Sequence, residues 1–172
     1  MYIASEIASA GAYLESSKQT HRDIATRNVI LYEKNLTVKL TDVAVFVDKY
    51  ALDYYNGLPI RWMGPESVVR TEFSVASDVY AFGVCLWEIL TLCKCRPFAE
   101  YSDEDLISAV YAHMDDGEEM PRLPRPTHCS AEIYDLLEEC TSPGENQRPS
   151  FKEICLFLQR KTLGFSKPPM PH

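Results

Sequence analysis

The sequence predicts a mainly helical domain carrying one small β-hairpin. Three observations predict it. Apolar residues recur at helical spacing in the first segment, and Ser-based caps open several later ones. A single pair of short β-branched runs flanks a turn. The longest apolar stretch has the length of a helix and is apolar on nearly all sides.

Ile3, Ile7, Ala10 and Leu14 share one helical face, which predicts an amphipathic helix over about 3–16. Val29-Ile30-Leu31 and Thr37-Val38-Lys39-Leu40 read as two strands around the turn Glu33-Lys34-Asn35. Residues 42–66 show little periodicity and several turn formers, so a long loop is expected there. Ser77-Asp78 reads as the cap of a central helix over about 78–92, with Tyr80, Phe82, Val84, Leu86, Trp87, Ile89 and Leu90 around its circumference. Such a helix belongs in the middle of a core. Three more helices are expected near 103–114, 131–140 and 151–161, the first and last opened by Ser102-x-x-Asp105 and Ser150-x-x-Glu153. The Pro-rich stretch 121–126 separates the first two, and residues 166–172 read as a frayed, disordered tail.

At 172 residues the chain has the length of one domain, residues 1–165 by this reading. Hydrophobic residues at 46% and charged residues at 24% match an ordinary globular mixture. The net charge of −8 argues against nucleic acid as a partner, because that role rests on neutralising phosphates with Lys and Arg. The six cysteines (Cys85, Cys93, Cys95, Cys129, Cys140 and Cys155) form no paired C-x-x-C sets, so reduced thiols in a reducing, cytoplasmic compartment are expected. The opening residues lack the basic start and apolar run of a signal peptide. The stretch Val79–Cys93 is too short for a membrane span and carries Glu88.

The chemistry lies between the first helix and the hairpin. His21-Arg22-Asp23-Ile24-Ala25-Thr26-Arg27-Asn28 fits the phosphoryl-transfer loop H-R-D-x-x-x-x-N. Transfer to a hydroxyl needs a carboxylate beside the acceptor oxygen and oxygen ligands for magnesium. Asp23 is the candidate for the first role. Asn28 and Asp42, the latter at the end of the second strand, are the candidates for the second.

These residues resemble a protein kinase, and several other motifs point to its tyrosine-specific branch. Ala25-Thr26-Arg27 is similar to that branch's form of the loop, which implies that Arg27 positions the substrate tyrosine beside the catalytic Asp23. Leu58-Pro59-Ile60-Arg61-Trp62-Met63 resembles its substrate-docking loop, and Gly64-Pro65-Glu66 stands where the family has A-P-E. Ser77-Asp78-Val79-Tyr80-Ala81-Phe82-Gly83 resembles the start of its central helix, whose Asp bonds the catalytic-loop backbone. Arg148-Pro149 resembles the late Arg that pairs with the A-P-E glutamate, here Glu66.

The resemblance implies the large C-terminal lobe of a kinase, with catalytic loop 21–28, metal motif 42–44 and activation segment 42–66. It implies ATP and Mg2+ as cofactors, with Asn28 and Asp42 as cofactor and metal ligands. Protein tyrosines or a partner kinase domain are the implied partners. Tyr50-Ala51-Leu52-Asp53-Tyr54-Tyr55 has the Y-x-x-x-Y-Y spacing of the neurotrophin, insulin and discoidin-domain receptors, which implies phosphorylation at Tyr50, Tyr54 and Tyr55. Leu92-Cys93-Lys94-Cys95-Arg96-Pro97-Phe98 looks most like the discoidin-domain collagen receptors, which would place the lobe on the cytoplasmic side of the plasma membrane.

The departures also carry information. Val43-Ala44 follows Asp42 where the family has Phe-Gly, only Asn56-Gly57 separates Tyr55 from Leu58, and Thr141 stands where Trp is expected. Residues 1–172 contain no counterpart of the small lobe's Gly-rich loop, strand lysine or helix glutamate. Two readings follow: a receptor tyrosine kinase lobe, inactive as this chain alone, or a degenerate pseudokinase lobe that binds partners without catalysis. His113, His128 and His172 have no metal-ligand spacing and read as surface or packing residues, and Asp115–Glu119 as a solvated loop.

Overall fold

The computed structural model describes residues 1–32, 36–41 and 49–164. The turn Glu33-Lys34-Asn35, the motif 42–44 and the tail 166–172 lie outside the described residues. The chain folds as six α-helices and one two-stranded antiparallel sheet among those residues: α1 (Tyr2–Ser16), β1 (Val29–Tyr32), β2 (Thr37–Leu40), α2 (Pro65–Arg70), α3 (Val75–Leu90), α4 (Asp103–Asp116), α5 (Ala131–Cys140) and α6 (Phe151–Lys161). This is the mainly helical architecture with one small hairpin that the sequence predicts.

Helix α3 lies at the centre, and its residues Ser77–Glu88 are all buried. Val79, Phe82, Val84, Cys85 and Leu86 are shielded from water on every side of it, which is what an apolar circumference demands. The helix starts earlier than the sequence suggests. Ser74 caps it: the Ser77 N–H donates to Ser74 Oγ at 3.2 Å, and the Ser74 N–H donates to Ser77 Oγ at 2.9 Å. Because the two serines satisfy each other, Asp78 is not needed as a cap. Its carboxylate turns to the His21 loop instead. The helix also stops at Leu90 rather than 92, since Leu92 and Cys93 adopt left-handed φ values of 56° and 52° that no α-helix continues.

Helix α1 packs on α6 through small residues. Its buried stripe is Ala4, Ser5, Ile7, Ala8 and Gly11, with Ile3, Ala10 and Leu14 only partly covered. A Cβ on Gly11 would lie 2.4 Å from Cε1 of Phe151, so glycine is what lets that ring reach the core. Phe151 meets Phe82 edge to face at a centroid distance of 5.8 Å.

The later helices end where their caps place them. The Asp105 N–H donates to Ser102 Oγ at 3.0 Å, and Gly117 closes α4 with φ 74°. Ser150 and Glu153 form the expected capping box of α6. The sequence reading assigns no helix to residues 65–70. There the short α2 follows Gly64, with Pro65 pre-set for its first turn and Glu66 held through a distant partner.

Strands β1 and β2 pair from Val29 with Leu40 to Tyr32 with Thr37. All six cysteines are free thiols. No helix among the described residues is long and apolar enough to cross a membrane.

Candidate active site

The site is built on the loop between α1 and β1, and α3 anchors that loop from below. The N–H groups of His21 and Arg22 donate to the two carboxylate oxygens of Asp78 at 2.6 and 2.8 Å. Arg22 takes a left-handed φ of 71°, a strained conformation that the paired carboxylate contacts help to hold. Burial pushes the Asp78 carboxyl up from its ordinary range, and the two backbone N–H groups oppose that shift. His21 is a strut rather than a base: its Nε2 hydrogen-bonds the Thr41 carbonyl oxygen at 2.9 Å, and its Nδ1 accepts from the Asp23 N–H at 3.3 Å.

Asp23 is buried and crowded with donors. Asn28 Nδ2 donates both to its carbonyl and to its Oδ2, each at 2.8 Å. Arg27 Nη2 donates to its Oδ1. The amide of Asn28 is thus oriented with its nitrogen on Asp23, so its carbonyl oxygen is the ligand-type atom it can offer. An amide oxygen beside carboxylates is a donor set that suits a hard cation such as magnesium. Among the described residues no three acidic, histidine or cysteine side chains gather as a metal cluster. Asp42, the other candidate ligand, lies outside the described residues.

Tyr54 fills the space in front of Asp23. Its hydroxyl donates to Asp23 Oδ2 at 2.7 Å and accepts from Arg27 Nε at 3.0 Å. Arg27 lies between two rings, its guanidinium carbon 4.8 Å from the Tyr54 centroid and 4.1 Å from that of Trp62. Burial, and next the carboxylate of Asp23, push the Tyr54 phenol above its ordinary pKa. Asp53 beside it stands 3.6 Å from Arg27 Nη1 and 3.5 Å from Arg96 Nε. Tyr50 lies beneath the Lys49 ammonium, 5.3 Å from its ring centroid. Tyr55 forms a bridge with Leu58, each N–H donating to the other's carbonyl. Asn56 and Gly57 make that turn with φ of 50° and 80°, which two residues of this type adopt readily. The short connection therefore closes as a tight turn and leaves Ile60–Met63 buried.

That buried segment is tied down in two directions. Arg61 donates from Nε to Asp103 Oδ1 at 2.7 Å, and from its other nitrogens to the carbonyls of Pro97, Phe98 and Tyr101. Trp62 Nε1 donates to Glu88 Oε2 at 3.0 Å. The same carboxylate accepts from the Thr26 N–H at 3.1 Å and the Thr26 hydroxyl at 2.8 Å. Burial pushes the Glu88 carboxyl upward, opposed by these three donors. Sequence reasoning did not single out Glu88 as part of the site. Its signal was an acid within the otherwise apolar stretch Val79–Leu90.

Behind the segment, Arg148 and Glu66 form a two-pronged ion pair at 2.7 and 2.8 Å. The guanidinium also donates to the carbonyls of Ser142, Pro143 and Ala76, and lies 5.1 Å from the Tyr80 ring centroid.

Asp23 is thus buried between Arg27 and Asn28, on a loop that the central helix anchors beside the hairpin. Residues 1–158 match the family model for protein tyrosine and serine/threonine kinases. The chain belongs to that family. It is similar to the receptor kinases: 39% identical over 168 residues to the epithelial discoidin domain-containing receptor 1 of Homo sapiens, covering 95% of this chain and 18% of that receptor. It is also 39% identical over 173 residues to the NT-3 growth factor receptor of Gallus gallus, covering 98% of this chain and 20% of that one. The chain spans about a fifth of the length of the curated relatives it matches.

Proposed function

We propose that these residues form the acceptor-binding lobe of a receptor-type tyrosine kinase, which transfers the ATP γ-phosphate to protein tyrosines on the cytoplasmic side of a membrane. One observation carries the reading: a tyrosine, Tyr54, already lies with its hydroxyl on Asp23 and its ring against Arg27. The pocket is thereby of the right size and polarity for a tyrosine acceptor. In this reading Asp23 takes the hydroxyl proton as the phosphate arrives, and Arg27 holds the ring and orients the carboxylate. Asn28 and Asp42 would hold magnesium, which neutralises phosphate charge when bound. Tyr54 must leave before any other tyrosine can enter, so the loop carrying Tyr50, Tyr54 and Tyr55 regulates access.

Residues 1–172 by themselves provide one wall of the nucleotide site. Positioning and preorganised charge are nearly all that a kinase contributes, so this chain alone is expected to be inactive. The test is incorporation of phosphate into a tyrosine-containing polymer with ATP and magnesium. The chain alone should match its Asp23→Asn variant, while the same residues joined to a related receptor kinase's small lobe should transfer phosphate, and lose that transfer with Asp23→Asn. A folded but inactive chimera would favour the pseudokinase reading, a lobe that binds partners only.

A further inference from the structure

We infer that Glu88 is a positioning residue that locks the loop carrying Asp23 and Arg27 to the segment carrying Trp62, and so sets where an acceptor tyrosine lies relative to Asp23. The inference rests on the tyrosine-kinase reading above and extends it to a residue outside the motif.

Three donors from two separate segments converge on one carboxylate. Oε1 receives the Thr26 hydroxyl, and Oε2 receives both the Thr26 N–H and the Trp62 indole N–H. Glu88 is only 7% exposed, so water cannot substitute for a lost partner. Its backbone lies on α3, which is packed on all sides and also fixes the same loop through Asp78. Thr26 immediately precedes Arg27, and the Arg27 guanidinium stacks 4.1 Å from the Trp62 ring. Glu88 therefore fixes both ends of that stack: Thr26, which precedes the arginine, and the indole under it. The Cys93 thiol sits 3.6 Å from Thr26 Oγ1, and Cys93's N–H donates to the Glu88 carbonyl at 2.8 Å, closing the far side of the clamp. A carboxylate serves here because it offers two acceptor oxygens and no donor to three incoming donors.

The geometry separates two substitutions. Glu88→Gln keeps one oxygen for the Thr26 and Trp62 N–H groups, and the Thr26 hydroxyl can rotate to accept from the new amide. Glu88→Leu keeps the bulk and removes every acceptor. Hydrogen exchange in this chain is the first measurement, read at the Thr26 amide and the Trp62 indole N–H. The Trp87 indole N–H, which donates to the Pro124 carbonyl, and the amides of Phe82–Leu86 serve as controls. Glu88→Leu should speed exchange at Thr26 and Trp62 by about tenfold or more, leave the controls protected, and be rescued by Glu88→Gln. Unchanged exchange at both sites, or equal acceleration at the controls, overturns the clamp. In a form that transfers phosphate, Glu88→Leu should raise the peptide KM about tenfold while leaving the ATP KM unchanged. Equal effects on both substrates, or none, overturn the positioning role. A wild type with no transfer in any form counts against the kinase reading, and the exchange result then decides the clamp by itself.

Discussion

Tyr54 and Asp23, 31 residues apart, share a hydrogen bond of 2.7 Å in a site closed by Arg27 and Trp62. In the proposed kinase reading the tyrosine occupies the place a protein substrate needs, and its hydroxyl donates to the group proposed to accept a proton. Burial and the neighbouring carboxylate both favour the neutral phenol. Subtracting the ultraviolet titration of Tyr54→Phe from that of the wild type should reveal one tyrosine that ionises later than a free one, near pH 10. A difference curve at the ordinary midpoint would place Tyr54 in water.

Phosphorylation should follow the same geometry. Tyr54 has its hydroxyl engaged with a carboxylate, and a phosphate there would meet like charge. An active receptor kinase added in trans should therefore modify Tyr50 and Tyr55 before Tyr54. Peptide mass mapping over time reads the order, and early phosphate at Tyr54 would contradict it.

The pair Glu66–Arg148 is buried and two-pronged, and it joins α2 to the segment before α6. Removing one partner strands a buried charge and leaves the carbonyls of Ser142, Pro143 and Ala76 without their donor. Arg148→Ala should destabilise the fold by about 3–5 kcal/mol, seen as a lower urea midpoint. Arg148→Lys should recover only part of it, because an ammonium cannot present the planar fork.

Gly11 of α1 lies against the ring of Phe151, the first residue of α6. Gly11→Ala puts a methyl group into the Phe151 ring and should cost about 1–3 kcal/mol by overpacking, despite alanine's higher helix propensity. Pairing it with Phe151→Leu should relieve part of the loss. Independent, additive effects in the thermal midpoints would mean that the ring does not meet the new methyl.

The α6 cap should depend on pH. The Ser150 N–H and hydroxyl donate to Glu153 and hold its carboxyl below the ordinary range. A depressed folded-state pKa means that the unfolded chain binds the proton first as pH falls. The contribution is therefore complete above the unfolded value, about 4.3, and is lost as pH drops through the folded one. The urea midpoints of wild type and Glu153→Gln should differ at pH 7 and converge as the pH falls through the depressed folded-state value. A gap that stays constant with pH would remove the carboxylate from the cap.

The local features of this protein were legible in its sequence because they are decided by residues close together in the chain. The caps at Ser102 and Ser150, the helices Ala131–Cys140 and Phe151–Lys161, and the hairpin strands follow from periodicity and turn chemistry within a few positions. The loop motif from His21 to Asn28 was legible for the same reason. Where a nearby competitor existed, the local reading slipped: Ser74 and Ser77 cap each other, which moved the start of α3 and freed Asp78.

The assembly of the site was decided by contacts between distant residues. Asp78 reaches His21 across 57 positions, Glu88 reaches Thr26 across 62, and Arg148 reaches Glu66 across 82. Spacing along the chain carries no record of such pairs, because their energy comes from excluding water around charges that only the packed core brings together. The Asp78 and Arg148 pairs were expected from the family resemblance alone, and the Glu88 link was not expected at all. Glu88 appeared in the sequence as a misplaced charge in an apolar helix. Folding supplied the three donors that make a buried carboxylate stable there, and with them the link between the Asp23 loop and the segment that faces it.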